Sequence, residues 1–315
     1  MNKQSSQVDL TNQSVFSQCK TGTSLALTAP PVYKSKEQTT VTSIKFNMRL
    51  GEIFSEFDDF DWSNVLLAGG LVSGLLETKY DKTMYTESDL DLFLYGKNQK
   101  EMKEAYIRTY EYFKKKFGTI YSFIYNNSMV VTILSPKFRR VIQLIGTEFS
   151  KPIDIIKNFD LTHCQVGFDG QNVIYTSEFI KSIQTRITKI TKFSIHAYRL
   201  VKAYQRGYSI ETPENDMYIK NYFHTYTYNQ DEPNKPPKNT DKIWFVHNLQ
   251  ENIDELIANP IVQQNMKKNY IPRLDEDPET INKNITTSYS CEMKFIDGPL
   301  SKYLELGSAF TTIIK

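Results

Sequence analysis

The sequence predicts an α+β fold: a small mixed β-sheet with its helices, followed by a mainly helical region. Three observations carry this. Between residues 65 and 168, apolar runs of strand length alternate with segments whose apolar residues recur every three or four positions. From residue 176 the period turns helical. Residues 1–45, by contrast, are rich in Gln, Ser, Thr and Asn, are interrupted by Pro30-Pro31, and show little apolar periodicity. The expected division is a flexible polar tail over 1–45, a sheet domain over 46–175, and a mainly helical domain over 176–315 that includes a loop at 211–242.

Taken in order, Leu50, Ile53, Phe54 and Phe57 recur at helical spacing and give a short amphipathic helix. The apolar run Val65-Leu66-Leu67-Ala68 is a strand that ends in Gly69-Gly70, and residues 71–76 continue as a helix. A glycine pair at such a junction lets the backbone come close to a bound phosphate, whose charge the N–H groups at the helix start favour. After a polar loop comes a second strand, Ser-Asp-Leu-Asp-Leu-Phe-Leu-Tyr, carrying Asp89 and Asp91. Strand side chains alternate, so these two carboxylates share one face while Leu90 and Leu92 take the other. Two carboxylates so close repel unless a cation sits with them, and a hard divalent cation such as Mg²⁺ prefers oxygen ligands of this kind. Phosphate on one side and metal on the other is a layout for nucleotidyl transfer.

Residues 98–117 read as a helix, with Met102, Ala105, Tyr106, Tyr110 and Phe113 on its apolar stripe and Lys114–116 in its last turn. Strands over 128–134 and 140–145 flank Ser-Pro-Lys-Phe-Arg and form a hairpin. A short helix beginning at Pro152 follows. Asp160 then stands between Phe159 and Leu161 at the start of an apolar strand that Asp169-Gly170 closes as a turn. Two further helices carry Phe179, Ile180, Ile183 and Ile187, then Ala197, Leu200, Val201 and Tyr204. This stretch is basic, with Lys181, Arg186, Lys189, Lys192, Arg199, Lys202 and Arg206 against Glu178 alone. Gly207 is a plausible stop for it. Residues 243–257 are expected to be helical, 272–284 loop-like, and 295–314 mixed.

Gly-Gly followed by Asp-x-Asp on a strand resembles the DNA polymerase β-type nucleotidyltransferase superfamily. The block VIQLIGTEFSKPIDIIKNFDLTHCQVGFDG (141–170) resembles poly(A) polymerase-like proteins of large DNA viruses and nucleotidyltransferase-like domains of some ankyrin-repeat proteins. KITKFSIHAYRLVKAYQRGY resembles the first helices after the catalytic sheet in the viral family. The family needs a third carboxylate on a neighbouring strand, and Asp160 is the candidate. The resemblance implies a small mixed sheet with helices on one side and a site of two Mg²⁺ or Mn²⁺ ions held by Asp89, Asp91 and Asp160. It also implies ATP as donor and an RNA 3′ end as acceptor. Gly69 and Gly70 would seat the triphosphate, with Ser73, Lys202 and Arg206 as further nucleotide-binding candidates. The basic helices over 181–206 could hold a triphosphate or an RNA backbone. The family usually has Gly-Ser where this chain has Gly-Gly-Leu.

Each residue also has a plainer reading. Ser73 serves equally as a helix-packing serine, and Lys202 and Arg206 are candidates only, since surface lysines on basic helices are common. Glu87, in the loop, reads as a solvated neighbour of the aspartates, and Asp169 as a turn residue. His163 and Cys164, adjacent on a strand, point to opposite faces and do not form a nucleophile pair. The alternatives to transfer onto RNA are a binding module or subunit of this fold without turnover, and a transferase acting on protein or tRNA.

Composition sets outer bounds. The 315 residues hold 40% apolar and 13% aromatic side chains, enough for real cores. A net charge of +2 leaves nucleic-acid binding to local patches. Cys19, Cys164 and Cys291 are far apart, and the four histidines are isolated, which argues against a disulfide framework or a zinc site. No signal peptide or membrane-length apolar run is evident, so a soluble, cytoplasmic protein is expected, in the host cytoplasm or a virion if it is viral.

Overall fold

The structure, a computed structural model, describes residues 26–27, 40–41, 43–54, 57, 59–78, 85, 88–125, 129–192, 195, 197–211, 270–289 and 293–305. Glu87, residues 212–242, the expected helix at 243–257 and nearly all of the 1–45 tail lie outside them. In chain order the first elements are β1 (Ala26–Leu27), α1 (Ser43–Phe54), β2 (Val65–Ala68), α2 (Gly70–Leu76), β3 (Leu90–Leu94) and α3 (Gln99–Phe117). There follow β4 (Tyr121–Tyr125), β5 (Val130–Ser135), β6 (Phe138–Gly146), α4 (Pro152–Lys157), β7 (Val166–Phe168), β8 (Val173–Tyr175) and α5 (Ser177–Thr185). The last are β9 (Ile187–Lys189), α6 (Ala197–Gln205), β10 (Ser209–Glu211), α7 (Pro278–Tyr289), β11 (Met293–Phe295) and α8 (Leu300–Glu305). This is an α+β fold, as the sequence predicts. Among the described residues no helix is long and apolar enough to cross a membrane.

The chain forms two compact units. The first comprises Lys36–Phe159, His163–Ile183 and Lys268–Lys315, the second Met1–Ser35, Asp160–Thr162 and Gln184–Lys267. The first holds an eight-stranded mixed sheet in the order β11-β4-β5-β6-β3-β2-β7-β8. Only β3 and β6 run parallel within it. The sheet is larger than expected because β4, β8 and the C-terminal β11 extend it at both edges.

Helices cover both faces of this sheet, not one. On the α3 face lie Leu90, Leu92 and Leu94 of β3, all fully buried. The Tyr106 hydroxyl reaches through that layer to donate to the Leu144 carbonyl at 2.5 Å, and Tyr110 and Ser122 hydroxyls meet at 2.7 Å. Phe57 packs there against Phe113, Phe117 and Phe138. The opposite face has two separate apolar covers. Over one end, α4 lays Ile155 and Ile156 on Leu66, Ala68, Phe93 and Phe159. Over the other, α7 lays Ile281, Ile285 and Tyr289 on Phe123, Leu134 and Val141.

The helix α7 corrects the loop expected over 272–284. Asp277 Oδ1 accepts the Thr280 N–H at 2.9 Å, and Pro278 occupies the first turn, where its missing N–H costs nothing. Three buried residues spaced by four then suffice to dock an otherwise polar helix.

The second unit pairs β1-β10-β9, with β10 parallel to β9 and antiparallel to β1. Arg186, between α5 and β9, is buried in a left-handed backbone conformation with φ 56°. Its guanidinium lies 3.8 Å from the centre of the Tyr208 ring and donates to the carbonyls of Gly207 and Arg206.

Truncating Ile285 to Ala removes the middle contact of α7 with the sheet. We expect a loss of about 2–5 kcal/mol in urea denaturation. A loss below about 0.5 kcal/mol, the range of surface substitutions, would show that α7 does not pack there.

Candidate active site

The site is organised by β3 and its two neighbours. Antiparallel pairing with β2 sets Leu66 opposite Phe93 and Leu67 opposite Leu92, so Asp91 comes beside the end of β2, where Gly69 follows. Asp91 and Phe93 are half-buried on the α4 face, alternating with the buried leucines. Asp89 is half-buried in the residue just before the strand. Asp91 thus stands on the strand, while Asp89, expected on it too, falls just outside.

Gly69 turns the chain from β2 into α2 with φ 94° and ψ −151°, a region essentially reserved for glycine. Its N–H donates to the Val166 carbonyl at 3.0 Å, and its carbonyl accepts the Ser73 N–H at 3.1 Å. A Cβ added there would lie 3.8 Å from Asp91 Oδ2 and 4.0 Å from the Phe159 ring. The structure thus brings Gly69, Gly70 and Asp91 together, with Phe159 as an apolar wall. Ser73 is buried within α2, and its hydroxyl has no hydrogen-bond partner among the described residues.

Arg140, on β6, fixes the approach to Asp89. Its Nη1 donates to the carbonyl oxygens of Tyr85 at 2.7 Å and Ser88 at 2.8 Å. Tyr85 is itself anchored: its ring fills the space beside Gly74, and its hydroxyl donates to Glu77 Oε1 at 3.3 Å. Arg49 donates to the Leu75 and Glu77 carbonyls at 2.8 and 2.6 Å, holding the end of α2. Sequence reasoning did not single out these two arginines, because nothing local marks a side chain whose partners are carbonyls far along the chain.

On its other side β3 pairs in parallel with β6, and Asp91 stands opposite Gln143. Gln143 in turn stands opposite Thr132 of β5. A polar row, Thr132, Gln143 and Asp91, therefore crosses this face, with Thr132 beside the residues that α7 covers. Thr132 is fully buried, and its hydroxyl has no hydrogen-bond partner among the described residues. The sequence does hold a signal for this row: Gln143 is the lone polar side chain in the run Val-Ile-Gln-Leu-Ile.

Asp160 belongs to the second unit and is not on a strand. A 3₁₀ turn, Thr162–Cys164, intervenes before β7, and Leu161 makes an isolated bridge to Ile190. The Asp160 carboxylate is gripped at two points by Arg199: Nη2 donates to Oδ1 at 2.8 Å, and Nε lies 2.8 Å from Oδ2. Burial pushes the nearby Lys192 ammonium below its usual value, with Asp160 opposing the shift and Arg199 adding to it. Lys202 is exposed on α6, its Nζ 5.2 Å from the centre of the Tyr198 ring, and Arg206 follows the helix half-buried. The 3₁₀ turn also corrects the reading of His163 and Cys164: they do not face apart, since Cys164 Sγ lies 3.4 Å from His163 Nε2. Both are buried, which keeps substrate from them.

Among the described residues no three His, Cys, Asp or Glu side chains converge to hold a metal ion. Asp89 and Asp91 still fit Mg²⁺ or Mn²⁺ chemically, since such ions are held by one or two carboxylates completed by water and substrate phosphates.

Gly69→Ala places a side chain in a glycine-only conformation. It should cost about 1–3 kcal/mol in chemical denaturation, and an unchanged midpoint would contradict the assigned backbone.

Similarity to known proteins falls on this same region. The sequence model of the Gabija anti-defense 2 family matches residues 41–186, somewhat under half of the chain, a span that includes Gly69, Asp89, Asp91, Gln143 and Asp160. A protein of Acanthamoeba polyphaga mimivirus, itself uncharacterized, is 28% identical over 190 residues, covering 55% of this chain and 41% of the relative. The chain thus spans well under half the length of that curated relative. Among solved structures, a tRNA-processing enzyme in an apo form is similar with a TM-score of 0.35 and 11% identity, covering 60% of this chain and 49% of the other.

Proposed function

We propose that this chain is a nucleotidyltransferase that moves the nucleoside monophosphate of an NTP, ATP by the resemblance, onto a hydroxyl, with an RNA 3′ end as acceptor. The observation that carries the reading is the juxtaposition of Gly69 and Asp91. A Cβ at Gly69 would stand 3.8 Å from Asp91 Oδ2, so a phosphate-seating backbone and a metal-binding carboxylate adjoin. In the reaction the acceptor oxygen attacks the α-phosphorus, the bond from that phosphorus to the β-phosphate oxygen breaks, and pyrophosphate leaves with its electrons. The acceptor proton passes to a carboxylate or to solvent. Asp89 and Asp91 bind and orient the cation side of the nucleotide, while Gly69 and Gly70 let the triphosphate approach the backbone. A bound Mg²⁺ or Mn²⁺ supplies charge neutralisation at the phosphates. The resemblance gives Asp160 the role of third carboxylate, and the basic stretch 181–206 that of an RNA contact.

A second reading, a binding module of this fold without turnover, is favoured by one observation. Neither strand flanking β3 carries a carboxylate: β2 is VLLA and β6 is FRRVIQLIG. Transfer onto protein or tRNA is the third reading. The match over residues 41–186 to a family described as Gabija anti-defense supports a setting common to all three, a viral protein acting against a host defence.

The deciding experiment supplies labelled NTPs one at a time with Mg²⁺ or Mn²⁺ and a short RNA primer. We expect laddered products from the wild type, and a reduction of roughly two orders of magnitude or more in Asp89→Asn/Asp91→Asn. Asp160→Asn in the same assay reports the part played by that carboxylate. Label in protein, tRNA or a small product would keep the chemistry and replace the acceptor. Nucleotide binding with no product from any acceptor would establish the second reading.

A further inference from the structure

We propose that the phosphate backbone of the acceptor is held by a basic patch on the first unit. Lys114 and Lys115 at the end of α3 form it with Lys137 and Arg139 at the turn from β5 into β6. The inference rests on the transfer reading for its class of ligand, a single-stranded RNA, and moves the contact away from the stretch 181–206. Topology assembles the patch from separate segments. The helix α3 leaves the far end of β3 and runs back along the sheet, so that Phe117 stacks on Phe138 at the start of β6, with ring centres 5.5 Å apart. Ser135 Oγ donates to the Thr119 carbonyl at 3.1 Å, tying the turn to the residues after α3. A Cβ added at Gly118, which ends α3, would lie 3.9 Å from Lys137 Nζ. Because β6 runs parallel to β3 with Ile142 opposite Leu90, residues 137–139 lie at the end of the sheet where the chain enters β3 after Asp89. Antiparallel pairing of β2 brings Gly69 to that same end.

Charge decides what the patch fits. Lys114, Lys115, Lys137 and Arg139 are exposed, and none has an ion-pair partner among the described residues. The remaining lysine of the run, Lys116, lies 3.7 Å from Asp59. A helix C-terminus carries about half a negative charge, which a single lysine offsets. The four cations exceed that, and the exposed acid next to them on α3, Glu111, lies one turn back. In the stretch 181–206, by contrast, Lys181, Lys189 and Arg199 each face a carboxylate. Exposed ammonium and guanidinium groups meet phosphate oxygens whatever the base sequence, and such contacts position a strand. An acceptor whose 3′ hydroxyl lies at Asp91 has the rest of its strand still to place. A backbone that leaves over this end of the sheet meets these cations.

The test is fluorescence anisotropy of a labelled single-stranded RNA titrated with the full chain, without NTP, over a series of salt concentrations. Lys114→Gln/Lys115→Gln/Lys137→Gln/Arg139→Gln is expected to weaken binding roughly tenfold or more at low salt. It should also lower the slope of log affinity against log salt by about 2–3, at about 0.7 for each lost contact. A charge-matched variant, Lys45→Gln/Lys100→Gln/Lys283→Gln/Lys294→Gln, removes as much charge elsewhere on the same unit and should keep a slope near that of the wild type. Equal losses in the two variants, or no RNA binding by the wild type at low salt, overturn the proposal. Should the patch variant fail to fold by circular dichroism, the wild type decides. RNA must then protect Lys114, Lys115 and Lys137 from acetylation, read by mass spectrometry, while Lys283 stays reactive; unprotected patch lysines overturn the proposal. Because binding is read without NTP, an absence of primer extension beside it sinks the transfer reading and leaves the patch as the RNA contact of a module without turnover.

Discussion

The constraint on which the candidate site depends is the register of β3 between its two unlike neighbours. Antiparallel pairing with β2 brings the Gly69 turn beside Asp91, and parallel pairing with β6 sets Gln143 on the other side. A slip of one residue would turn the aspartates into the α3 core and the leucines of β3 outward. That slip is opposed by Leu90, Leu92 and Leu94, all with no exposed surface. The hydrophobic burial of one face thus fixes the electrostatics of the other. Arg140 extends the constraint past the end of the strand by gathering the Tyr85 and Ser88 carbonyls, which leaves little freedom to the backbone entering Asp89.

What the sequence made legible is what acts over a few residues. The strand-to-helix turn at Gly69-Gly70, the place of Asp91 on its strand, and the β5–β6 hairpin each follow from local periodicity and from conformations open only to glycine. Long-range register stayed hidden. Gln143 and Asp91 meet because strands some fifty positions apart in sequence pair in parallel, and no local pattern carries that information. The helix α7 was concealed by its polar composition, since only Ile281, Ile285 and Tyr289 face the sheet. Around Asp160 an apolar run read as continuous strand is broken by the turn Thr162–Cys164, so alternation fails there and His163 meets Cys164.

The basic stretch 181–206 illustrates how composition overstates available charge. Lys181 is paired with Glu178, Lys189 with Glu211, and Arg199 with Asp160, while Arg186 is buried against Tyr208. Cations engaged in this way still add to the local field, but each is partly neutralised and its geometry is already committed. The count of basic residues therefore overstates the charge this stretch offers to an RNA backbone.

The two units divide the charges of the proposed chemistry in a way that bears on mechanism. In the first, Asp91 stands beside an amide and a glycine turn. In the second, a carboxylate is held at two points by a guanidinium. A carboxylate bound by arginine is stabilised in its ionised form, yet its lone pairs are already directed at N–H donors, so a cation must compete for them. Across the parallel pair from Asp91 stands a neutral amide, Gln143. Each unit thus holds its carboxylates in a setting of its own, one beside an amide and one committed to a guanidinium.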